Sequence, residues 1–301
     1  MQFDMAVVGD INIDVVPEPL EKDLEMKEDG QIFVDKLVHR RGGQAANFAV
    51  KTSELGSETV FQGKVGDDRH ADFLEQHLKD KGVKPRLARS KDVDTGTTTV
   101  IPRENGERFY ITYADNNSKL EYGDLHRETL YNSRHLARRG VWFSTPMLNE
   151  GNKKLLKEAK KQGVETSIDL HWDPYWDENR SSGNRRKKFM ETLEHVDFLM
   201  GNSEELKMLT EKKELDKAVE KLQRFGEFKT IAHCGPEGSK IYRGNESINI
   251  PVEDIQNPEN PTGTGDVYDA AFINAWQKGK SLEEAGQKAT EEAVKHLKGL
   301  N

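Results

Sequence analysis

The chain contains a single cysteine, Cys234, in 301 residues. That excludes an internal disulfide and any paired-cysteine metal site, and it fits a reducing compartment. An excess of positive charge is also missing. Lys and Arg number 45 against 53 Asp and Glu, a formal net charge of −8. The basic residues are scattered, with no basic arm or arginine-rich block, so nucleic acid is not an expected partner. No apolar run approaches membrane-spanning length. Phe3 to Val8 follows the start without a basic segment and apolar signal, so secretion is not expected either, and the expected location is cytoplasmic. The sequons at Asn116 and Asn245 then read as chance. There is no 20–50-residue repeat and no low-complexity tract. What is present is 34% apolar and 33% charged residues, enough for a core inside a strongly hydrated surface. The length suits one large α/β domain with an appendage.

Taken in order, Phe3–Val8 predicts a short buried strand closed by Gly9-Asp10. Residues 11–16 and 31–39 alternate apolar and polar, as half-exposed strands do. Thr95–Pro102 and Arg108–Tyr113 predict a hairpin turning over residues 104–107. Together these predict a small sheet built from about 11–41 and 94–114. Thr59–Gln62 predicts a strand, residues 63–68 its loop, and Phe73–Lys81 a helix with Phe73, Leu74, His77 and Leu78 on one face. After residue 114 strands alternate with helices. The strands are expected near Arg139–Phe143, Glu165–Asp169, Phe198–Gly201, Thr230–Cys234 and Lys240–Tyr242. The helices are expected near Gly151–Gln162, Arg186–His195, Glu204–Leu209, Leu215–Phe225, Asp266–Lys278 and Leu282–Leu297. Such alternation predicts a mainly parallel sheet with helices on both faces and ligands at the carboxyl ends of the strands.

Several stretches carry chemistry. Asn260-Pro261-Thr262-Gly263-Thr264-Gly265-Asp266 enters a helix of small and apolar residues. A Gly-Thr-Gly turn at a helix start leaves backbone N–H groups pointing forward, with the helix dipole behind them, which suits a polyanion. Asp266 beside it reads either as a helix cap or as a base taking a proton from a hydroxyl. Asp10, Asn12, Asp14 and Asn47 read as a polar pocket wall or as turn chemistry. Arg41-Gly42-Gly43 leads into a second helix of small residues. Asn202 and Glu205 read as a helix cap with an acidic first turn, or as metal support. Gly235 and Gly238 bracket a turn after a strand. Gly279-Lys280-Ser281 imitates the end of a Walker A loop, but it follows a helix and lacks the first glycine. Tyr268 breaks a dinucleotide fingerprint starting at Gly263. His70 and His77 share a helix face without a third ligand.

Two of these stretches, in order at opposite ends of the chain, resemble the signatures of the ribokinase-like (PfkB) family of carbohydrate and nucleoside kinases. Gly263, Gly265 and Asp266 match Asp-Thr-x-Gly-Ala-Gly-Asp, with Thr264 for Ala, Asn260 for the first Asp, Pro261 for the Thr and Thr262 at the open position. Residues 42–49 match Gly-Gly-x-Ala-x-Asn-x-Ala. The Val-Gly-x-Asp loop, Asn202-x-x-Glu205 and Gly235-x-x-Gly238 follow the family's order, whereas His171 and Asp173 depart from its Asp-x-Asn-x-Arg. The resemblance implies a three-layer α/β sandwich carrying a small β-sheet lid, with residues 1–301 as one kinase domain. It implies ATP and Mg2+ as cofactors, with a monovalent cation as an optional third. Asp266 is then the base, and Gly263, Thr264, Gly265 and Asp266 form the anion hole. Asp10, Asn12, Asp14, Gly42, Gly43 and Asn47 hold a small polyhydroxy substrate. Thr262, Asn202, Glu205, Gly235 and Gly238 serve the nucleotide, Glu205 reaching magnesium through water. A homodimer through the lid sheets is the expected assembly, because exposed strand edges need cover.

The reaction so implied is transfer of phosphate from ATP to a hydroxymethyl group of a sugar, polyol or nucleoside. A catalytically silent sugar- or nucleotide-binding relative and an NAD-dependent oxidoreductase are the competing readings. Asp173 at the family's Arg-bearing position, with Asp10 and Asp14, predicts a neutral substrate. Arg40, Arg41, Arg103 and Arg108 stand against that expectation.

Overall fold

The computed structural model describes residues 1–21, 29–104, 108–173, 182–253, 255 and 262–300. Its layering can be read from the first strand, β1 (Phe3–Val8), whose side chains alternate between faces. Met5 and Val7 enter one buried cluster, and Ala6 and Val8 the other. The chain continues through β2 (Asn12–Pro17), β3 (Leu37–Gly42), α1 (Gln44–Glu54), β4 (Thr59–Gln62), β5 (Lys64–Gly66), α2 (Arg69–Asp80), β6 (Lys84–Pro85), β7 (Ala88–Ser90), β8 (Thr97–Pro102) and β9 (Arg108–Tyr113). Two short helices, α3 (Asp115–Ser118) and α4 (Arg127–Tyr131), precede the alternating half. That half runs β10 (Ser133–Arg138), α5 (Asn152–Lys161), β11 (Glu165–Asp169), α6 (Ser182–Thr192), β12 (Phe198–Asn202), α7 (Ser203–Thr210), α8 (Leu215–Leu222) and β13 (Lys229–His233). The hairpin β14 (Ser239–Arg243) and β15 (Glu246–Ile250), then α9 (Thr264–Gln277) and α10 (Leu282–Leu297), complete it.

The large sheet has nine strands in the order β15-β14-β13-β12-β11-β10-β1-β4-β6. All its pairs are parallel except β13–β14 and β14–β15. Helices α1, α2, α9 and α10 cover one face, and α5, α6, α7 and α8 the other. This is the expected three-layer α/β architecture. Helix α9 is buried continuously from Val267 to Ala275, as its small and apolar residues require. It packs between α1 and α10. Because β1, β10, β11, β12 and β13 are parallel, their carboxyl ends open on one edge of the sheet.

A separate four-stranded sheet has the order β3-β2-β8-β9. Its outer pairs are antiparallel and the central β2–β8 pair is parallel. Asn116 ties it to the large domain. The side-chain amide of Asn116 donates to Ile11 O at 3.0 Å and Lys64 O at 2.7 Å, and its oxygen accepts from Gly96 N at 2.8 Å. Asn117 Oδ1 accepts from Ile11 N at 3.1 Å. Asn116 is completely buried, so the sequon there is a structural joint.

Some expected elements move. The strand expected at 139–143 is β10, at 133–138. Its polar residues hid it, yet two of them find partners inside: His135 bonds Ser167 and Glu165, and Arg138 Nε donates to Asn152. The alternating stretch 31–39 joins a ladder only from Leu37. Helix α2 starts at Arg69 and buries Ala71, Leu74 and Leu78, while Phe73 faces solvent. Strands β5, β6, β7 and β15 were not expected, the first three because two or three residues carry no periodicity. The hairpin turn at 105–107 and the Asn260-Pro261 departure lie outside the described residues.

Candidate active site

Five strand ends and one helix start build the site. At the end of β13, Gly235 and Gly238 hold φ of +59° and +88°, and Cys234 N donates to Gly238 O at 2.8 Å. A Cβ on Gly238 would lie 2.1 Å from Ile250 O, so only glycine fits this tight turn. At the other side, α9 begins after Gly263, whose φ of +79° is left-handed. The first-turn amides of Thr264, Gly265 and Asp266 have no intrahelical acceptor and open onto a cavity of about 620 Å3. One end of the cavity is apolar, with Pro236, Val252, Ile255, Ala293, Val294 and Leu297. The other end is charged, with Arg139, Asp169, Glu205, His233, Asp266 and Asp269.

The charged end is wired through Arg139, the residue after β10. Its guanidinium donates to Asp269 Oδ2 at 2.8 Å and stands 3.5 Å from Asp266 Oδ1 and 3.7 Å from Asp169 Oδ2. Asp269 Oδ1 bonds His233 Nε2 at 2.8 Å. Burial drives the Asp266 carboxyl well above the usual carboxylate range. Arg139 pulls it down, and Asp169, Asp269 and Asp10 add to the rise. Asp169 is raised for the same leading reason. Burial also presses on Asp269, but His233 and Arg139 outweigh it and hold that carboxyl below the usual range. For His233, burial favours the neutral ring, yet Asp269 prevails and raises it. The result is a carboxyl held down between an arginine and a histidine, next to one that burial holds up.

Asn202 and Glu205 form a reciprocal helix cap. Asn202 Oδ1 accepts from Glu205 N at 2.8 Å, and Glu205 Oε2 accepts from Asn202 N at 2.9 Å. The second carboxylate oxygen of Glu205 lies 3.6 Å from His171 Nδ1. Burial, with Asp169 adding, pushes the Glu205 carboxyl up to about 8. Among the described residues no group of three or more His, Cys, Asp or Glu could cage a metal ion.

The six expected substrate residues do not line the 620 Å3 cavity; they gather beside it, next to Gln44, which does. Asp10 accepts from Gln44 N and Ala45 N, both at 3.0 Å, capping α1. Asn12 donates to Asp14 Oδ1 at 2.7 Å and to Thr98 Oγ1 at 3.2 Å. Asp14 is pushed up to about 6 by burial. A Cβ on Gly42 would lie 2.1 Å from Asp14 Oδ1, so that glycine makes room for the carboxylate. Gly43 has φ +94° at the start of α1, and Asn47 lies one turn further on. Thr262 is exposed outside the cavity, its carbonyl bonded to His296 at 2.8 Å. The charge argument from Asp173 is corrected. Asp173 is fully buried, does not line the cavity, and is clasped by Arg185 at 3.0 and 3.2 Å. Sequence reasoning missed Arg139, Asp169, His233 and Asp269. The available signals were charged residues at the ends of apolar strands, and an Asp one turn after Asp266.

A family profile described as pfkB family carbohydrate kinase matches residues 2–295. The chain is 26% identical over 293 residues to a ribokinase of Arabidopsis thaliana, covering 93% of this chain and 72% of that protein. It is 25% identical over 294 residues to a 5-dehydro-2-deoxygluconokinase of Geobacillus thermodenitrificans, covering 93% and 84%. Among solved structures, an adenosine kinase from Sinorhizobium meliloti superposes with a TM-score of 0.83 at 23% identity, covering 98% and 93%. An E. coli ribokinase II solved with ATP and Mg2+ gives 0.82 at 22%, covering 97% and 91%.

Proposed function

Since the chain belongs to the pfkB family of carbohydrate kinases, we propose that it transfers the γ-phosphoryl group of ATP to a hydroxymethyl group of a small polyhydroxy compound. The observation that carries the reading is the Gly263-Thr264-Gly265-Asp266 start of α9, a left-handed turn with forward-pointing amides and a buried carboxyl at the mouth of one cavity. The apolar end, between the Gly235–Gly238 turn and α10, suits a purine ring. The polar end suits the triphosphate.

Asp266 accepts the proton of the attacking hydroxyl, and burial raises its affinity for that proton above that of a free aspartate. The amides of residues 263–266 take up charge on the phosphoryl oxygens, each such donor contributing about 3–4 kcal/mol where site-directed losses have been measured. Glu205 and Asn202 would steady the water shell of a magnesium ion bound with ATP, which would supply neutralisation of phosphate charge. Asp10, Asn12, Asp14, Gly42, Gly43 and Asn47 hold the acceptor beneath the small sheet, which acts as a lid that excludes water. Asp10 and Asp14 still favour a neutral sugar, cyclitol or nucleoside, now without help from Asp173. A tenfold higher kcat/KM for a sugar acid or phosphosugar would overturn that preference and leave the kinase assignment intact. A screen of sugars, polyols, sugar acids and nucleosides tests the assignment. ADP should form from ATP only when an acceptor is present. ATP consumption that ignores every acceptor, or ligand binding without turnover, would favour a silent relative.

A further inference from the structure

A buried guanidinium at the floor of a phosphate site needs a physical reason. The Arg139 side chain is 1% exposed and stacks over Phe48, its Cζ 3.8 Å from the ring centroid. Nη2 is anchored to Asp269 at 2.8 Å, and Asp269 is gripped on its other oxygen by His233 at 2.8 Å. Nε is shut off from solvent and has no partner. Nη1 points at the carboxylates, 3.5 Å from Asp266 and 3.7 Å from Asp169. An arginine placed to bind an incoming anion would present its fork to the cavity; this one presents it to acids. We propose that Arg139 is a positioning residue for Asp266: anchored by Asp269 and Phe48, it holds the base in place and sets a positive charge beside it against the surrounding acids. The inference rests on the kinase reading.

Five charged groups act on Asp266 from the packed elements. Asp10 follows β1, Arg41 lies on β3, Arg139 follows β10, Asp169 ends β11 and Asp269 lies on α9. Three are acids, and burial works with them to protonate Asp266. Arg139 is the cation in direct reach. Removing it should therefore raise the pH at which the base ionises, by about 1–3 pH units for an opposite charge at this range.

The test is the pH dependence of kcat/KM for the wild type, Arg139→Met, Arg139→Gln and Arg139→Lys, with folding checked by circular dichroism and Tm. The acidic limb should move up by about 1–3 pH units in both charge-removing variants, and Arg139→Lys should bring it back to within half that shift. Arg139→Gln keeps a neutral polar amide on the same stem and carries the test if Arg139→Met does not fold. A limb that stays put in a folded charge-removing variant, with activity lower by the same factor at every pH, overturns the inference alone. A wild type inactive with every acceptor overturns the kinase reading and this inference with it.

Discussion

Asp266 carries the greatest chemical weight of any side chain in the account, because burial and three acids raise its proton affinity while one guanidinium restrains it. Asp266→Asn keeps the shape and removes the base. Turnover should fall by roughly 10²–10⁴-fold, with ATP affinity kept or slightly improved, as steady-state kinetics and calorimetry would report; near-normal turnover would take Asp266 out of the mechanism. Because a base must be ionised to act, wild-type activity should fall as pH drops through the raised Asp266 value, well above the usual range for a free aspartate. Glu205→Gln tests the outer-shell role. The magnesium needed for half-maximal rate should rise while acceptor KM stays put, and an unchanged magnesium titration would leave Glu205 as a helix cap only. The residues that were legible in sequence, Gly263, Gly265, Asp266, Gly42, Gly43 and Asn47, are those whose chemistry is local to a turn and a helix start. Arg139, His233 and Asp269 were not, because their meaning arises from contacts across up to 130 residues.

The elements were legible where burial follows a period and obscure where polar side chains are satisfied inside. Helix α10 falls at residues 282–297 as read, since Ser281 and Glu284 cap it reciprocally and its apolar stripe is regular. Strand β10 was displaced by six residues because Arg, His and Ser occupy ladder positions that only tertiary partners make tolerable. The joint between the two sheets was read as a chance sequon for the same reason. Its test is Asn116→Ala, which removes the acceptor of Gly96 N and the donor to Ile11 and Lys64, and leaves buried backbone groups unpaired. The change should destabilise the protein by about 3 kcal/mol in denaturant unfolding and raise acceptor KM more than ATP KM. A loss within about 0.5 kcal/mol, the range of an ordinary surface change, would show that the small sheet does not depend on this joint.

Among the described residues, the outer edge of the small sheet carries exposed apolar side chains. On the edge strand β9, Phe109, Tyr110, Ile111 and Tyr113 are all more than half exposed, and exposed apolar edges of this kind invite pairing. A homodimer through the small sheets is the proposed assembly. Ile111→Glu should shift it to monomer in sedimentation at micromolar concentration, whereas a wild type that is monomeric and fully active would remove the dimer from the account. The three-layer domain and its appended sheet were predictable because strand-helix alternation over the second half dictates a parallel sheet. The acceptor's identity was not, because Asp173, the residue chosen to decide its charge, is turned inward to Arg185. The central claim is that this cavity moves a phosphoryl group from ATP to an alcohol. The most direct measurement follows ATP, Mg2+ and the best acceptor by phosphorus NMR. The wild type should give equal amounts of ADP and a new phosphomonoester with no inorganic phosphate, and Asp266→Asn both products roughly 10²–10⁴-fold more slowly. ADP accompanied by inorganic phosphate, or a phosphomonoester formed as fast without Asp266, would contradict it.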